Sequence, residues 1–264
     1  DFCLSRGLGD VYKRQPIYDV MMVVDLNGLV VAVNTIDKNG KELNTSSLLG
    51  KNYSEELWFK TSRQNEIKPG SAFVEDLHYD PDIANVIGND GSVMNFTSPI
   101  RDPQTGNIIG IWTNRMSWSD VVGAITKEEM TKLKNEKITN LFPFLVSENG
   151  TFLSHPEGNK YILKKELPNF GGIKPLAETN TLTQTIESQV GSFQGEVFQS
   201  ITKSKGYSIY PGKGWFAVLQ VPSEDSEKTT NTLFLVSGIL LMFLIGVFGL
   251  SLIHISEPTR QAEI

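Results

Sequence analysis

The stretches VMMVVDLNGLVVAVN (20–34) and FPFLVSENGTFLSHP (142–156) share one design and decide the predicted fold. Each places an Asn-Gly pair between two apolar runs. Asn-Gly in that setting is a strong signal for a tight β-hairpin, because both residues tolerate a positive φ. Its repetition in the two halves of the chain predicts two related modules, each beginning with a hairpin.

Each half also ends with a second predicted hairpin. In the first half, MNFTSPI (94–100) and IIGIWTNRMSW (108–118) flank a turn. In the second half, GYSIY (206–210) and WFAVLQVP (215–222) flank the turn PGKG. The same order in both halves favours a duplicated α+β domain, although hairpins also occur in α+β proteins without a duplication.

The segments between the hairpins have helical patterns. Apolar residues recur at helical spacing after Ser117, which predicts a linking helix over 119–140. In the first half, residues 46–66 are predicted to be helical and turn-like. Their expected apolar anchors are Leu48, Leu49, Leu57, Trp58 and Phe59.

The two ends of the chain mirror each other at the level of DNA. One codon choice for DVYKRQ (10–15) has a reverse complement that encodes LSLIHI (250–255). That DNA resembles a transposase adapter of sequencing libraries. Residues 1–15 and 250–264 are therefore interpreted as translated adapter and excluded from fold reasoning, which leaves a fragment of a longer protein.

Residues 233–249, LFLVSGILLMFLIGVFG, contain no charge and no proline. Twelve of them are Leu, Ile, Val or Phe, which supply roughly −4 to −7 kcal/mol of membrane-insertion free energy. As a helix the run spans about 25 Å, close to the ~30 Å hydrocarbon core of a bilayer. The run predicts a transmembrane helix, and a buried core helix is the alternative.

The composition excludes several classes of function. A net charge of −6 argues against nucleic acid as a partner. The single cysteine, Cys3, lies in the excluded end, which suits an extracytoplasmic setting. No nucleophile–base pair or phosphate-binding loop is recognisable, so neither an enzyme nor a cofactor is expected. The acidic stretch 75–82 is interpreted as a solvated turn between strands rather than as a metal site.

Six segments resemble the double Cache sensor domain. Four of them resemble its membrane-distal module: DLNGLVVAVN (25–34), LLGKNY (48–53), LWF (57–59) and SPIRDPQTGNIIGIW (98–112). Two resemble its membrane-proximal module: SENGTFLSHP (147–156) and WFAVLQVP (215–222). The resemblance covers residues 16–249 and implies an α+β fold of two tandem PAS-like modules with antiparallel sheets, followed by one transmembrane helix.

The resemblance also implies a domain organisation. The membrane-distal module is expected over 16–118, the linking helix over 119–140, the membrane-proximal module over 141–228 and the transmembrane helix over 233–249. Such domains are the extracytoplasmic sensors of methyl-accepting chemotaxis proteins, and less often of histidine kinases and diguanylate cyclases. The implied protein is thus a homodimeric small-molecule receptor in the plasma membrane, with residues 16–232 outside the cytoplasm. A sensor of a kinase or cyclase, or an anchored binding module without signalling output, is the alternative.

The resemblance places a ligand pocket in the first module. Trp58 and Phe59 match an aromatic pair of the family, and packing in the core is the alternative role for both. Glu56 stands where amino-acid-binding members carry Arg, and Asn114 stands where they carry Asp. These differences favour a cationic or neutral ligand over an amino acid. Further lining candidates are Asp76, Tyr79, Phe96 and Trp112.

Overall fold

The computed structural model describes residues 17–64, 67–135, 141–188, 190, 195–206 and 212–223. The chain divides into two units, with the division between Val121 and Val122. The helix predicted over 233–249 and both ends interpreted as adapter lie outside the described residues. Among the helices that the structure does describe, none has the length and hydropathy needed to cross a bilayer.

The first unit is a five-stranded antiparallel sheet with helices. Its elements are β1 (Val20–Val24), β2 (Val30–Val33), α1 (Leu57–Arg63), β3 (Phe73–Tyr79), α2 (Pro81–Ile87), β4 (Ser92–Arg101), β5 (Ile108–Ser117) and the start of α3 (Trp118–Asn135). The strand order is β2-β1-β5-β4-β3. The helix α3 follows β5 without an intervening loop, and Trp118 at its first position is buried.

The second unit repeats this arrangement. Its elements are β6 (Phe142–Val146), β7 (Phe152–Ser154), a short 3₁₀ helix (Gly158–Lys160), α4 (Phe170–Thr179), β8 (Leu182–Ser188), β9 (Gly195–Lys203) and β10 (Phe216–Pro222). The strand order, β7-β6-β10-β9-β8, is that of the first sheet with each strand replaced by its counterpart. The prediction of an α+β fold with two antiparallel sheets is confirmed.

The two Asn-Gly turns adopt only part of the backbone that their sequences predict, because the glycine of each pair has a positive φ whereas Asn27 and Asn149 do not. Gly28 has φ +89° and Gly150 has φ +87°, a conformation that L side chains rarely adopt. A Cβ on Gly28 would lie 2.5 Å from the backbone nitrogen of Ser54, and one on Gly150 would lie 2.7 Å from the ring of Phe170. Each glycine thus provides both a turn conformation and a close approach to the segment that follows β2 or β7.

Two local predictions were wrong. β10 pairs with β9 on one edge, with Phe216 opposite Lys203, and with β6 on the other edge, so neither edge pairs with 206–210 as predicted. The acidic stretch 75–82 does not form a turn between strands. Its first five residues belong to β3, and Asp80 caps α2 by accepting hydrogen bonds from two backbone N–H groups of that helix.

The anchors expected in 46–66 divide into two groups. Leu48, Trp58 and Phe59 are buried in the core of the first unit, as expected. Leu49 and Leu57 are exposed, because only one side of this short segment faces the sheet. The core that the three buried anchors share includes Val20, Met22 and Val24 of β1, Val93 of β4 and Ile111 of β5.

A buried ion pair between Asp19, which precedes β1, and Lys38, which follows β2, lies beside the start of α3. The Asp19 carboxylate accepts hydrogen bonds from the Ser117 backbone N–H at 3.1 Å and from Lys38 Nζ at 3.2 Å. Lys38 Nζ also lies 3.4 Å from an Asp120 carboxylate oxygen in the first turn of α3. The side chain of Asp19 is 2% exposed and that of Lys38 is 9% exposed. Burial raises the pKa of Asp19, and Lys38 only partly offsets this effect.

His155 is packed into the aromatic core of the second unit as a neutral imidazole. Its ring stacks on Tyr161 with centroids 3.9 Å apart, and its Nδ1 accepts a hydrogen bond from the Glu157 backbone N–H at 3.0 Å. The acceptor role of Nδ1 assigns the proton to Nε2. Burial lowers the pKa of His155 to about 4.

We expect the free energy of unfolding to fall by roughly 3 kcal/mol as the pH is lowered from about 6.5 to about 4, through His155. The unfolded chain binds this proton with an ordinary pKa, whereas the folded chain resists it, so acid favours unfolding. Urea titrations across this pH range should show the loss, and His155→Phe should remove it. His78→Gln in the first unit is the matched control, and an unchanged pH slope in His155→Phe would contradict the assignment.

Candidate ligand-binding site

The helix α1 covers one face of the first sheet, which we call the inner face. Alternation along β5 places Ile111, Thr113 and Arg115 on this face, because Ile111 shares the core with Trp58 and Phe59 of α1. The Trp58 ring lies 5.0 Å from the Arg115 guanidinium carbon. The inner face therefore combines an apolar part under α1 with a buried cation.

Arg115 is the charged centre of the inner face. Its side chain is 1% exposed, its Nη1 donates a hydrogen bond to Thr113 Oγ1, and its Nε lies 3.6 Å from Asp80 Oδ2. Burial lowers the pKa of the Arg115 guanidinium, and the surrounding acidic groups, Asp80 first among them, oppose that shift. Asp80 therefore compensates the buried charge.

Asn95 of β4 lies directly opposite Arg115 of β5. Its Nδ2 donates a hydrogen bond to Glu75 Oε2 at 2.6 Å and lies 3.1 Å from His78 Nε2. The Asn95 Oδ1 and the Arg115 Nε are buried, and neither has a hydrogen-bond partner among the described residues. One acceptor and one donor are thus left open on neighbouring strands, which is costly unless a bound molecule satisfies them.

Two further groups border this cluster. Next along the same strands, Thr97 Oγ1 lies 2.8 Å from Thr113 Oγ1, so a pair of hydroxyls extends the polar surface. On the side of α2, Asp82 pairs with Lys51 and accepts a hydrogen bond from the Tyr53 hydroxyl at 3.3 Å. Burial and the charge of Asp82 raise the pKa of Tyr53. Tyr53 is therefore a neutral donor at the rim.

The residues predicted to form the site do not all meet there. Phe96 pairs with Asn114 across β4 and β5, and Trp112 Nε1 donates a hydrogen bond to Asn114 Oδ1 at 2.6 Å. Alternation along the strands places these three on the outer face, opposite Arg115. Tyr79 is 61% exposed at the end of β3, where it pairs with Ser92.

Only part of the predicted set lies near the inner face. Trp58 and Phe59 cover it, and the exposed Glu56 precedes α1 and lies within electrostatic reach of Arg115. Asp76 sits at the irregularity of β3 between Glu75 and His78. Sequence reasoning missed the polar residues that the inner face brings together: Glu75, Asn95, Thr97, Asp80, Thr113 and Arg115.

For Thr113 and Arg115, the sequence signal was the alternation of side chains between the two faces of β5. A shift of one residue along a strand moves every side chain to the other face. The apolar Ile111 marks the core face, so Arg115, four residues on, lies on that face and Asn114 does not. The prediction of Asn114 therefore chose a buried residue on the outer face, one position before the residue that lies on the inner face.

The second unit carries an amide row at the corresponding sheet positions. Val24 and Val146 each precede an Asn-Gly turn, and the registers that start from them place Gln220 at the position of Arg115. Gln199 then corresponds to Asn95, because Gln199 lies opposite Gln220 and Asn95 lies opposite Arg115. Gln220 Nε2 donates a hydrogen bond to Gln199 Oε1 at 2.8 Å, and Ser188 Oγ donates one to Gln220 Oε1 at 2.9 Å. These amides bond to one another.

No protein-family model matches the chain, and no curated protein sequence matches it either. Solved structures, in contrast, share its fold. An extracellular ligand binding receptor from Desulfohalobium retbaense is 15% identical, with a TM-score of 0.52 over 78% of this chain and 30% of that chain. A domain of a sensory box/GGDEF family protein from Vibrio parahaemolyticus is 12% identical, with a TM-score of 0.53 over 86% of this chain and 80% of that chain.

A chemoreceptor domain has the same fold. The ligand-binding domain of Tlp3 from Campylobacter jejuni, solved with 4-methylisoleucine, is 13% identical, with a TM-score of 0.52 over 80% of this chain and 68% of that chain. At such identities the likeness concerns the fold alone. The two-module α+β fold that the resemblance to double Cache sensors implies is confirmed.

Proposed function

We propose that the chain is the extracytoplasmic small-molecule sensing region of a transmembrane chemoreceptor, a methyl-accepting chemotaxis protein. In this proposal residues 16–232 lie outside the cytoplasm, 233–249 span the plasma membrane, and the receptor is a homodimer. The ligand binds in the first unit and is sensed without being chemically changed. The fold shared with sensor domains supports the class of protein.

The observation that carries the proposal is the open polar pair on the inner face of the first unit. Buried donors and acceptors are paired in almost all folded proteins, so unpaired ones mark sites that wait for a partner. Asn95 Oδ1 and Arg115 Nε are such atoms among the described residues, since Asp80 Oδ2, at 3.6 Å from Nε, balances its charge but does not accept a hydrogen bond from it. In the second unit the corresponding amides of Gln199 and Gln220 bond to each other. The ligand site is therefore assigned to the first unit.

We assign ligand contacts to Asn95, Thr113 and Arg115 from the sheet and to Trp58 and Glu56 from α1 and its start. Phe59 supports Trp58, since their rings meet edge to face with centroids 6.1 Å apart. The outer-face residues Phe96, Trp112 and Asn114, with Asp76 and Tyr79, are assigned no contact with the ligand.

The route of the signal starts on β5. Arg115 lies two residues before Ser117, whose N–H is held by the Asp19 carboxylate, and three residues before the start of α3. A ligand that favours one position of Arg115 therefore favours one position of the start of α3. The difference between the ligand's affinities for the two positions of the start of α3 sets the size of the response.

The alternative outputs differ in the sequence that follows residue 249 in the native gene. A coiled-coil signalling hairpin there supports the chemoreceptor, and a kinase or diguanylate cyclase domain supports an enzyme-linked sensor. The GGDEF family protein with the same fold favours the second possibility as the main alternative. A stop soon after the membrane segment supports an anchored binding module without output.

The test of ligand binding is a thermal-shift screen of the purified chain against small metabolites. We expect at least one compound to raise the melting temperature. Its affinity should fall about 10- to 100-fold in Arg115→Met, because a hydrogen bond to a charged group is lost. Arg101→Met, whose guanidinium bonds to the Ile67 carbonyl elsewhere in the unit, is the matched control. Binding of L-amino acids that depends on Asn114 and not on Arg115 would refute the assigned site.

A further inference from the structure

We propose that the inner-face site recognises an uncharged, polyhydroxylated ligand such as a polyol or a sugar, through a hydroxyl placed between Asn95 Oδ1 and Arg115 Nε. This inference rests on the proposed function and narrows the ligand of the same site. It starts from the chemical nature of the two open atoms: one is an acceptor and the other is a donor.

The two open atoms belong to residues that lie directly opposite each other on β4 and β5. Such pairs have Cβ atoms about 4.5 to 5.5 Å apart and point to the same face, so a single small group can reach both side chains. A hydroxyl donates one hydrogen bond and accepts others. Its O–H can satisfy Asn95 Oδ1 while its oxygen accepts from Arg115 Nε.

Charged groups fit this pair less well. A carboxylate accepts from Arg115 Nε but has no hydrogen for Asn95 Oδ1, and it meets the carboxylates of Asp80 and Glu75 that surround the guanidinium. An ammonium group donates to Asn95 Oδ1, but it has no acceptor for the Nε–H and is repelled by Arg115. The guanidinium already has Asp80 as its counter-ion, so the site does not need a ligand charge.

The surroundings of the pair favour more than one hydroxyl. The Thr97–Thr113 hydroxyl pair is the next position along the same two strands, and both side chains are fully buried. These hydroxyls can each donate or accept, so they accommodate a second ligand hydroxyl without any charge. Trp58 adds an apolar wall 5.0 Å from the guanidinium, suited to the C–H groups of a polyol.

Isothermal titration of the purified chain tests the inference with two sets of probes. The neutral set is glycerol, D-ribose, D-glucose and myo-inositol, and the charged set is succinate, L-alanine and putrescine. We expect binding by at least one neutral probe. Arg115→Lys keeps the charge beside Asp80 but removes the Nε–H, and we expect it to weaken that binding at least tenfold. Asn95→Ala removes the acceptor without altering Arg115 and should have the same effect, so it also serves if Arg115→Lys fails to fold.

Asn114→Ala is the matched control for Asn95→Ala, because it removes a buried amide from the outer face of the neighbouring strand. It should leave the affinity unchanged. Binding of a charged probe that depends on Arg115, without binding of any neutral probe, overturns the ligand class and leaves the proposed sensor intact. Binding by no probe of either set counts against both. Neutral binding that is unaffected by Arg115→Lys and Asn95→Ala overturns the assigned pair.

Discussion

Replacing Lys38 with methionine should lower the free energy of unfolding by about 3 to 5 kcal/mol at pH 7. The methionine side chain is of similar length but leaves the buried Asp19 carboxylate with the Ser117 N–H as its remaining close donor among the described residues. An uncompensated buried charge is far more costly than a missing surface ion pair. Urea titrations of the variant and the parent chain measure the difference.

The pH dependence of this loss identifies its cause. The folded-state pKa of Asp19 is already raised, so the free energy of unfolding falls as the pH rises from the ordinary pKa of Asp to this raised pKa, and the loss is complete above it. Removing Lys38 raises that pKa further, because an attractive charge is gone. The deficit of Lys38→Met should therefore be largest at pH 7 and shrink as the pH is lowered and Asp19 is protonated in the folded chain.

Lys60→Met is the control for charge removal at the surface. Lys60 pairs with Glu55 at 2.8 Å, but the two side chains are 47% and 89% exposed. Exposed pairs contribute roughly 0 to 1 kcal/mol, so this variant should be nearly neutral. Equal deficits of Lys38→Met at pH 7 and pH 4 would show that packing, and not the Asp19 charge, accounts for the loss.

Replacing Gly28 with alanine should cost about 4 kcal/mol of unfolding free energy. The positive φ accounts for about 1 to 2 kcal/mol, as for any L residue in this region. The remainder comes from overlap of the new Cβ with the Ser54 backbone at 2.5 Å, which no side-chain rotation can relieve. Thermal or urea unfolding measures the loss.

Gly106→Ala separates the two causes. Gly106 also has a positive φ, +73°, but a Cβ there meets nothing within 4 Å. This control should lose only about 1 to 2 kcal/mol, the cost of the positive φ alone. Gly150→Ala should fall between the two, because its Cβ meets the movable Phe170 ring at 2.7 Å. Equal losses in Gly28→Ala and Gly106→Ala would show that the turn can move away from Ser54.

The opening hairpins and the two-sheet architecture could be predicted because their signals are local. Gly28 and Gly150 need a backbone that few residues other than glycine accept, and apolar runs flank both turns. The partner of β10 could not be predicted in the same way. The turn-like residues 211–214 precede it, but the pairing with β9 depends on burying Val197 and Ile201 across the sheet.

The candidate site was predicted in part for a similar reason. The aromatic residues of α1 are recognisable by type, and both side chains pack from the helix into the core of the first unit, which was the alternative role considered for them. The polar partners depend on which face of β5 points towards α1, and a difference of one position separates Asn114 from Arg115. The open Asn95 and Arg115 atoms arise from long-range register between strands, which residue types alone do not specify.

The repeated strand order separates the candidate site from the frame that holds it. The same two strand positions carry Arg115 and Asn95 in the first unit and Gln220 and Gln199 in the second. In the second unit the two glutamine amides bond to each other. Substitutions at Asn95 and Arg115 would alter the proposed ligand site on β4 and β5 while Gly28 and Gly150, whose turns begin the two sheets, stay unchanged. The residues that would set ligand specificity are thus different from the residues that maintain the fold.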